Sequence, residues 1–296
     1  MRSSSFDGPA GSGRTVVTGA AGMLGSVAVQ EFAARGAVIA HARADCDLAD
    51  VDATRRWFAA RNPDLIVHCA AWTDVDGCEA DPGRAWRDNA TATRNVVQAA
   101  QDTGAALCHV STDYVFDGEK PAPYAEDDPT APLGVYGRTK LAAEDAVCEY
   151  AARAWIVRTS WVFGPHGRNF VRTMAGLLRT RTEIRVVNDQ RGSPTYTRDL
   201  AAGLHSIVRG GAFGLYHFTN TGNCTWFEFA SAIRSQLGAV CRVSPCTTAE
   251  FPRPAPRPRN SVLAPAFYRA QHLPEPRPWM DALAAYLREM ELEATA

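Results

Sequence analysis

From residue 14 onward, short β-branched apolar runs alternate with longer segments whose apolar residues recur at helical spacing. "RTVVTG" (14–19) reads as a strand, and "MLGSVAVQEFAARG" (23–36) as a helix closed by Gly36. "AVIAHA" (37–42) is a second strand. "DVDATRRWFAARNP" (50–63) is a helix with an acidic cap, stopped at Pro63. "DLIVHCAA" (64–71) is a third strand, 84–103 a helix and "ALCHVST" (106–112) a fourth strand. A further helix runs from Tyr136 to about Tyr150, "AWIVRTSWVFG" (154–164) is a strand, "TRDLAAGLHSIVRG" (197–210) a helix and "GLYHFTN" (214–220) a last strand. Strands alternating with helices in this way make βαβ units, hence a parallel sheet covered on both faces.

The later chain changes character. "TAEFPRPAPRPRNSVLAP" (248–265) is rich in Pro and Arg, and "PWMDALAAYLREMELE" (278–293) is an amphipathic helix. The expected division is a disordered tail over 1–13, a doubly wound α/β domain over 14–165 plus about 195–220, and a smaller α/β lobe over about 166–194 plus 221–296. With 296 residues, 46% hydrophobic and 21% charged, the composition is that of an ordinary globular chain. Its net charge of −1 brings no basic excess for nucleic acid or an anionic membrane surface. No run of about 18 apolar residues is present to span a membrane. The start "MRSSSFDGPAGSG" is polar and Gly/Ser-rich, unlike a signal peptide. Eight cysteines include no C-x-x-C and no zinc-ligand spacing, so free thiols in a reducing cytoplasm and no metal are expected.

"TGAAGMLG" sets Gly19, Gly22 and Gly25 directly after the first strand and at the start of the first helix. Gly19 permits the tight turn, Gly22 lets backbone amides approach a pyrophosphate, and Gly25 lets the helix pack near the sheet. In this context the loop reads as the dinucleotide-binding loop of a Rossmann-like fold, the alternative being a glycine turn that holds no ligand. An acidic residue at the tip of the second strand would grip ribose hydroxyls, but here the tip offers His41 and Arg43. A cation there suits the 2′-phosphate of NADPH, or is simply solvated, so NADPH is expected with NADH as the alternative. Asp47 and Leu48 offer a polar group and an apolar face to the adenosine.

Thr112 closes the fourth strand, at the sheet edge where ligands of such folds bind. Tyr136 and Lys140, four apart, share one helix face. Reducing a ketone with a hydride leaves an alkoxide that needs a proton. A tyrosine of ordinary pKa about 10 is a poor acid–base partner at neutral pH. A lysine cation within one turn is expected to stabilise the phenolate and lower that value. Thr112 can then donate to the carbonyl oxygen as it becomes negative.

The glycine loop, Thr112 and Y-x-x-x-K, in this order, resemble the extended short-chain dehydrogenase/reductase superfamily. "PDLIVHCAAWTDVDGCEAD" (63–81), "STDYVFDG" (111–118), "YGRTKLAAE" (136–144), "RTSWVFG" (158–164), "NDQRGSPTY" (188–196) and "RPRNSVL" (257–263) resemble the dTDP-4-dehydrorhamnose reductase family within it. The resemblance runs from about residue 14 to the C-terminal helix. It implies NAD(P)H-dependent reduction at C4 of a dTDP-4-keto-6-deoxyhexose, with the smaller lobe holding the nucleotide sugar. It makes Tyr136 the proton donor, has Lys140 bind the nicotinamide ribose, and has Thr112 orient the keto group, with Asp113 beside it. Gly22, Met23 and Leu24 match the pyrophosphate loop, Asp47 and Leu48 the adenosine contacts, and Ala71, Trp72 and Thr73 the segment under the cofactor. Trp161 matches a tryptophan packed on the sugar, and Arg257 and Arg259 are set to meet the diphosphate or thymidine. Asp76 and Cys78 depart from the family pattern, which commonly has a basic residue nearby. The product is dTDP-L-rhamnose or, alternatively, a deoxysugar of a secondary metabolite. A third reading is a binding protein without reductase activity, as in the regulatory subunit of methionine adenosyltransferase. A monomer or homodimer is expected.

Overall fold

The computed structural model describes residues 13–295; the tail expected over 1–13 lies, except for Gly13, outside the described residues. Strands β1 (Arg14–Thr18), β2 (Ala37–His41), β3 (Leu65–His68), β4 (Ala106–Thr112) and β5 (Ala154–Thr159) join Gly214–His217 in a six-stranded sheet. Its order is Gly214–His217, β5, β4, β3, β1, β2, and every neighbouring pair is parallel. Successive strand residues point to opposite faces, and each face closes its own core. Val17, Val67, Cys108 and Val157 pack under helices Met23–Ala33 and Thr197–Gly210. Val16, Ile66, Leu107 and Ile156 pack under Val51–Arg61 and Ala92–Thr103. This is the doubly wound α/β fold read from the alternating pattern.

A separate core lies in the later chain. It gathers Val171, Met174 and Leu178 from helix Phe170–Thr180, Phe229 and Ile233 from Trp226–Gln236, and Leu283 and Tyr286 from Trp279–Thr295. Strands Glu183–Val187 and Arg242–Cys246 pair in parallel beside it. The helix Ala266–Ala270 turns back and buries Tyr268 in the first core.

Three local differences from the sequence pattern matter for the site. The expected strand 154–164 breaks at Trp161, whose φ of 47° is left-handed, and resumes only at Val162–Phe163. The expected helix 84–103 comes in three pieces, Pro82–Ala85, a π-helical turn Trp86–Thr91, and Ala92–Thr103. A short helix, Val75–Ala80, capped by the Asp74 side chain, fills the connection after β3.

β1 leads to β2 on one side, and the chain returns to β3 on the other. The loops after β1 and β3 therefore diverge and leave a crevice beyond the carboxyl ends of the strands.

Candidate active site

Two contiguous hollows fill that crevice, sharing Gly19, Gly22, Cys69 and Ala71. The glycine turn between them has little room for side chains. A Cβ on Gly25 would stand 2.0 Å from the Gly19 carbonyl oxygen, and Gly19 itself has φ of 67°. Helix Met23–Ala33 starts at Gly22 with no side-chain cap and no acidic residue in its first turn. Its leading amides, which lack intrahelical partners, are thus left to an anion. These features fit the pyrophosphate of a dinucleotide.

The hollow on the β2 side holds Arg43, Asp47, Leu48 and Trp72, as the sequence led one to expect. Asp47 accepts from the Ala49 amide and from Arg87. Burial raises its pKa, but these partners outweigh burial and hold it below the usual carboxylate range. His41 departs from expectation, because its ring is buried edge-on to Trp57 and lies 3.3 Å from the Cys46 Sγ. Burial lowers its pKa, so Arg43 alone supplies the charge at the strand tip. Trp72 is fixed from behind by Asn89 of the π-helical turn. Asn89 accepts from the Trp72 amide at 2.7 Å and donates to its carbonyl and to Thr139 Oγ1.

The other hollow, about 390 Å³, brings Met23, Leu24, Ala71, Thr73, Thr112, Asp113, Tyr136, Lys140 and Trp161 together. Thr112 and Asp113 come from the end of β4, and Tyr136 and Lys140 from the first turns of helix Val135–Tyr150. Thr112 Oγ1 accepts from the Tyr114 amide at 3.2 Å and donates to Asp113 Oδ1 at 3.1 Å. Burial pushes the Asp113 carboxyl up to about 7, against hydrogen bonds from Ser261 and Thr112, and its Oδ2 has no partner.

Here the structure corrects one expectation. Lys140 was expected to lower the Tyr136 pKa, yet burial raises it, opposed mainly by hydrogen bonding with Thr112. The lysine acts elsewhere. Its Nζ donates to the Val110 carbonyl at 2.7 Å and lies 3.3 Å from His109 Nε2. Burial also pushes Lys140 down, to about 8, with Glu144 pulling the other way. At neutral pH the phenol therefore carries its proton, the state a proton donor needs before reaction.

Polar residues absent from the sequence reading support this centre. His68 stacks on His109, bridges Thr18 and Thr93, and is driven down to about 3 by burial. Ser111 donates to Glu144, which takes a two-pronged ion pair from buried Arg158. Nothing in the spacing of these residues marked them, since they meet only through strand register, as in His68 opposite His109 and Ser111 opposite Arg158.

Opposite the tyrosine stands an indole pair. Trp161 lies face to face on Trp226, ring centroids 3.4 Å apart and planes 6° apart. Trp226 opens helix Trp226–Gln236 and donates to Gln190 Oε1. It was missed because an isolated aromatic at a helix start carries no spacing signal. Arg257 and Arg259 do not line the cleft. Arg257 is turned onto Asp76 at 2.8 Å, behind Tyr114, and Arg259 is exposed. The Asp76 carboxylate captures the nearby guanidinium. Exposed Arg168 stands on the cleft wall instead. Among the described residues no group of three or more His, Cys, Asp or Glu is placed to hold a metal, and no helix is long and apolar enough to cross a membrane.

Comparison with known proteins agrees with this architecture. The family profile "RmlD substrate binding domain" matches residues 13–292. The dTDP-4-dehydrorhamnose reductase of Mycolicibacterium smegmatis is 44% identical, over 91% of this chain and 84% of its own. A probable dTDP-4,6-dihydroxy-2-methyloxan-3-one 4-ketoreductase of Streptomyces antibioticus is 42% identical, over 91% of this chain and 93% of its own. The crystal structure of the Bacillus anthracis dTDP-4-dehydrorhamnose reductase in complex with NADP superposes with a TM-score of 0.92 at 37% identity, covering 94% of this chain and 99% of that one.

Proposed function

The chain belongs to the dTDP-4-dehydrorhamnose reductase family, and from that membership we propose that it reduces the C4 keto group of a dTDP-4-keto-6-deoxyhexose with NADPH, yielding dTDP-L-rhamnose. The observation that carries this reading is the meeting of Thr112, Tyr136 and Lys140 in one cleft with an uncapped glycine-turn helix. NADPH, when bound, supplies the hydride. The glycine turn and the first amides of Met23–Ala33 hold its pyrophosphate. Asp47, Leu48 and Ala71–Thr73 border its adenosine side.

The residues of this chain do the rest. Thr112, fixed by the Tyr114 amide, turns its hydroxyl toward the keto oxygen and supports the negative charge that grows there. The Tyr136 phenol, kept protonated by burial, hands its proton to that oxygen. Lys140, anchored on the Val110 carbonyl, stands one helical turn away. Its amine is the group available to the nicotinamide ribose. The indole pair supplies an apolar wall for the sugar, and Arg168 a cation for the diphosphate.

Residues 14–165 with about 195–220 act as the cofactor half, and about 166–194 with 221–296 as the sugar lobe. The two separate cores support this division, with Ala266–Ala270 reaching back onto the first. Eight free cysteines and a nucleotide-sugar substrate suit the cytoplasm. All the groups named belong to one chain, so a monomer suffices and a homodimer is compatible. The relative from Streptomyces antibioticus supports the second reading, a 4-ketoreductase of a secondary-metabolite deoxysugar. Incubation with NADPH and a panel of dTDP-4-keto sugars, with product configuration read by NMR, separates them. Turnover of dTDP-4-dehydrorhamnose to dTDP-L-rhamnose above all other substrates supports the first; preference for another keto sugar rejects it.

A further inference from the structure

Three guanidinium groups converge on one carboxylate at the mouth of the β2-side hollow. Asp88 accepts from both terminal nitrogens of Arg43, at 3.1 and 3.4 Å, from Arg84 Nε at 3.3 Å and from Arg87 at 2.6 Å. Four donors fill the lone-pair sites of a carboxylate. Asp88 is the inner member, its side chain 10% exposed against 61% for Arg43 and 48% for Arg84. The π-helical turn Trp86–Thr91 makes this possible, sending Asn89 inward to Trp72 and Asp88 outward to the arginines. The Arg84 guanidinium also sits over the Trp72 ring, 4.1 Å from its centroid, a cation–π contact that helps hold it in place.

Single ion pairs to exposed arginines add little to stability, while a network such as this one can add more. Its position points to a second use. Arg43 and Arg84 both line the hollow that begins at the glycine turn, beside Leu48 and the tip of β2, whereas Arg87 is spent on Asp88 and Asp47. Each of the two retains donors. Arg84 uses only Nε on Asp88, leaving both terminal nitrogens. Arg43 uses one hydrogen on each terminal nitrogen and keeps the second.

We propose that Arg84, carried by the short helix Pro82–Ala85, joins Arg43 to form a two-arginine clamp for the 2′-phosphate of NADPH, with Asp88 as the carboxylate that positions both guanidiniums. Arg84 thus becomes a cofactor-discriminating residue from outside the β2 tip. The signal was hidden in sequence because it lies 41 residues beyond Arg43, in a segment read as plain helix. The inference rests on the reading of the crevice as a dinucleotide site.

The test uses fragments that differ only by the phosphate in question. Adenosine 2′,5′-bisphosphate and 5′-AMP are titrated calorimetrically into the full-length parent and into Arg84→Gln, Arg84→Lys and Asp88→Asn. The parent is expected to bind the bisphosphate at least tenfold more tightly than 5′-AMP. Arg84→Gln should weaken the bisphosphate about tenfold and leave 5′-AMP within twofold, and Arg84→Lys should fall between. Asp88→Asn loosens the hold on both guanidiniums and should weaken the bisphosphate several-fold while leaving 5′-AMP within twofold. Equal losses of both nucleotides in Arg84→Gln, or no loss of either, overturns the clamp while leaving the dinucleotide site standing. A parent that binds neither nucleotide overturns the site and the clamp together.

Discussion

Asp113 is where function and stability pull apart. Its carboxyl is buried, one oxygen unpartnered, and its pKa is pushed up to about 7. A folded-state value above the unfolded one means that the native protein holds this proton more tightly. Stability from this group is fullest below the unfolded value of 3.8 and is lost as pH rises through about 7. Asp113→Asn removes the penalty. Its thermal midpoint is expected to exceed that of the parent by at least about 2 °C at pH 8, with little gain at pH 4.5. Turnover should fall, because the carboxylate that orients Thr112 is gone. A lower midpoint at pH 8 would contradict the burial argument. The triad itself was legible in sequence, since strand end and helix turn each fix where a side chain points. The ionisation of Tyr136 was not, because it depends on burial and on the tether that holds Lys140 to Val110.

Among the elements, the broken strand after β5 does the most for the site. An apolar run over 154–164 reads as one strand, because a left-handed tryptophan leaves no mark in a hydrophobic pattern. The break turns Trp161 onto Trp226, and Gly192 makes room, since a Cβ there would stand 2.4 Å from the Trp161 ring. Gly192→Ala should push the indole into the cleft. We expect KM for the keto sugar to rise about tenfold, with NADPH affinity within twofold of the parent, by steady-state kinetics and fluorescence titration. Unchanged KM would remove the indole pair from the sugar's path. The parallel sheet was fully readable, because strands buried on both faces show as unbroken apolar runs. The helices of the second core, such as Phe170–Thr180 and Trp226–Gln236, were not picked out. They lie between turn-rich stretches and pack on one another and on a sheet of only two short strands, Glu183–Val187 and Arg242–Cys246.

At the scale of the molecule, four histidines are buried with lowered pKa values, His41 and three that are driven further down. Burial drives His68 and His217 down to about 3 and His109 well below its ordinary value. Here the folded values lie under the unfolded one, so stability is full above about pH 6.5 and is lost as pH falls toward 3. Each group costs ~1.4 kcal/mol per pH unit in that window. Asp113 opposes over part of it, and the histidines outnumber it, so stability falls on balance as the pH drops. Thermal midpoints measured from pH 7.5 to 5 should therefore drop steeply below pH 6, and a flat profile would contradict the neutral burial of these rings. The same sheet centre that makes the fold acid-sensitive holds Lys140 through His109, so cofactor half and proton donor share one polar spine. The most direct test of the whole account is Tyr136→Phe, assayed for NADPH oxidation with dTDP-4-dehydrorhamnose and for NADPH binding. The account predicts turnover reduced by about 10²–10⁴ with binding within a few-fold of the parent; turnover equal to the parent would contradict it.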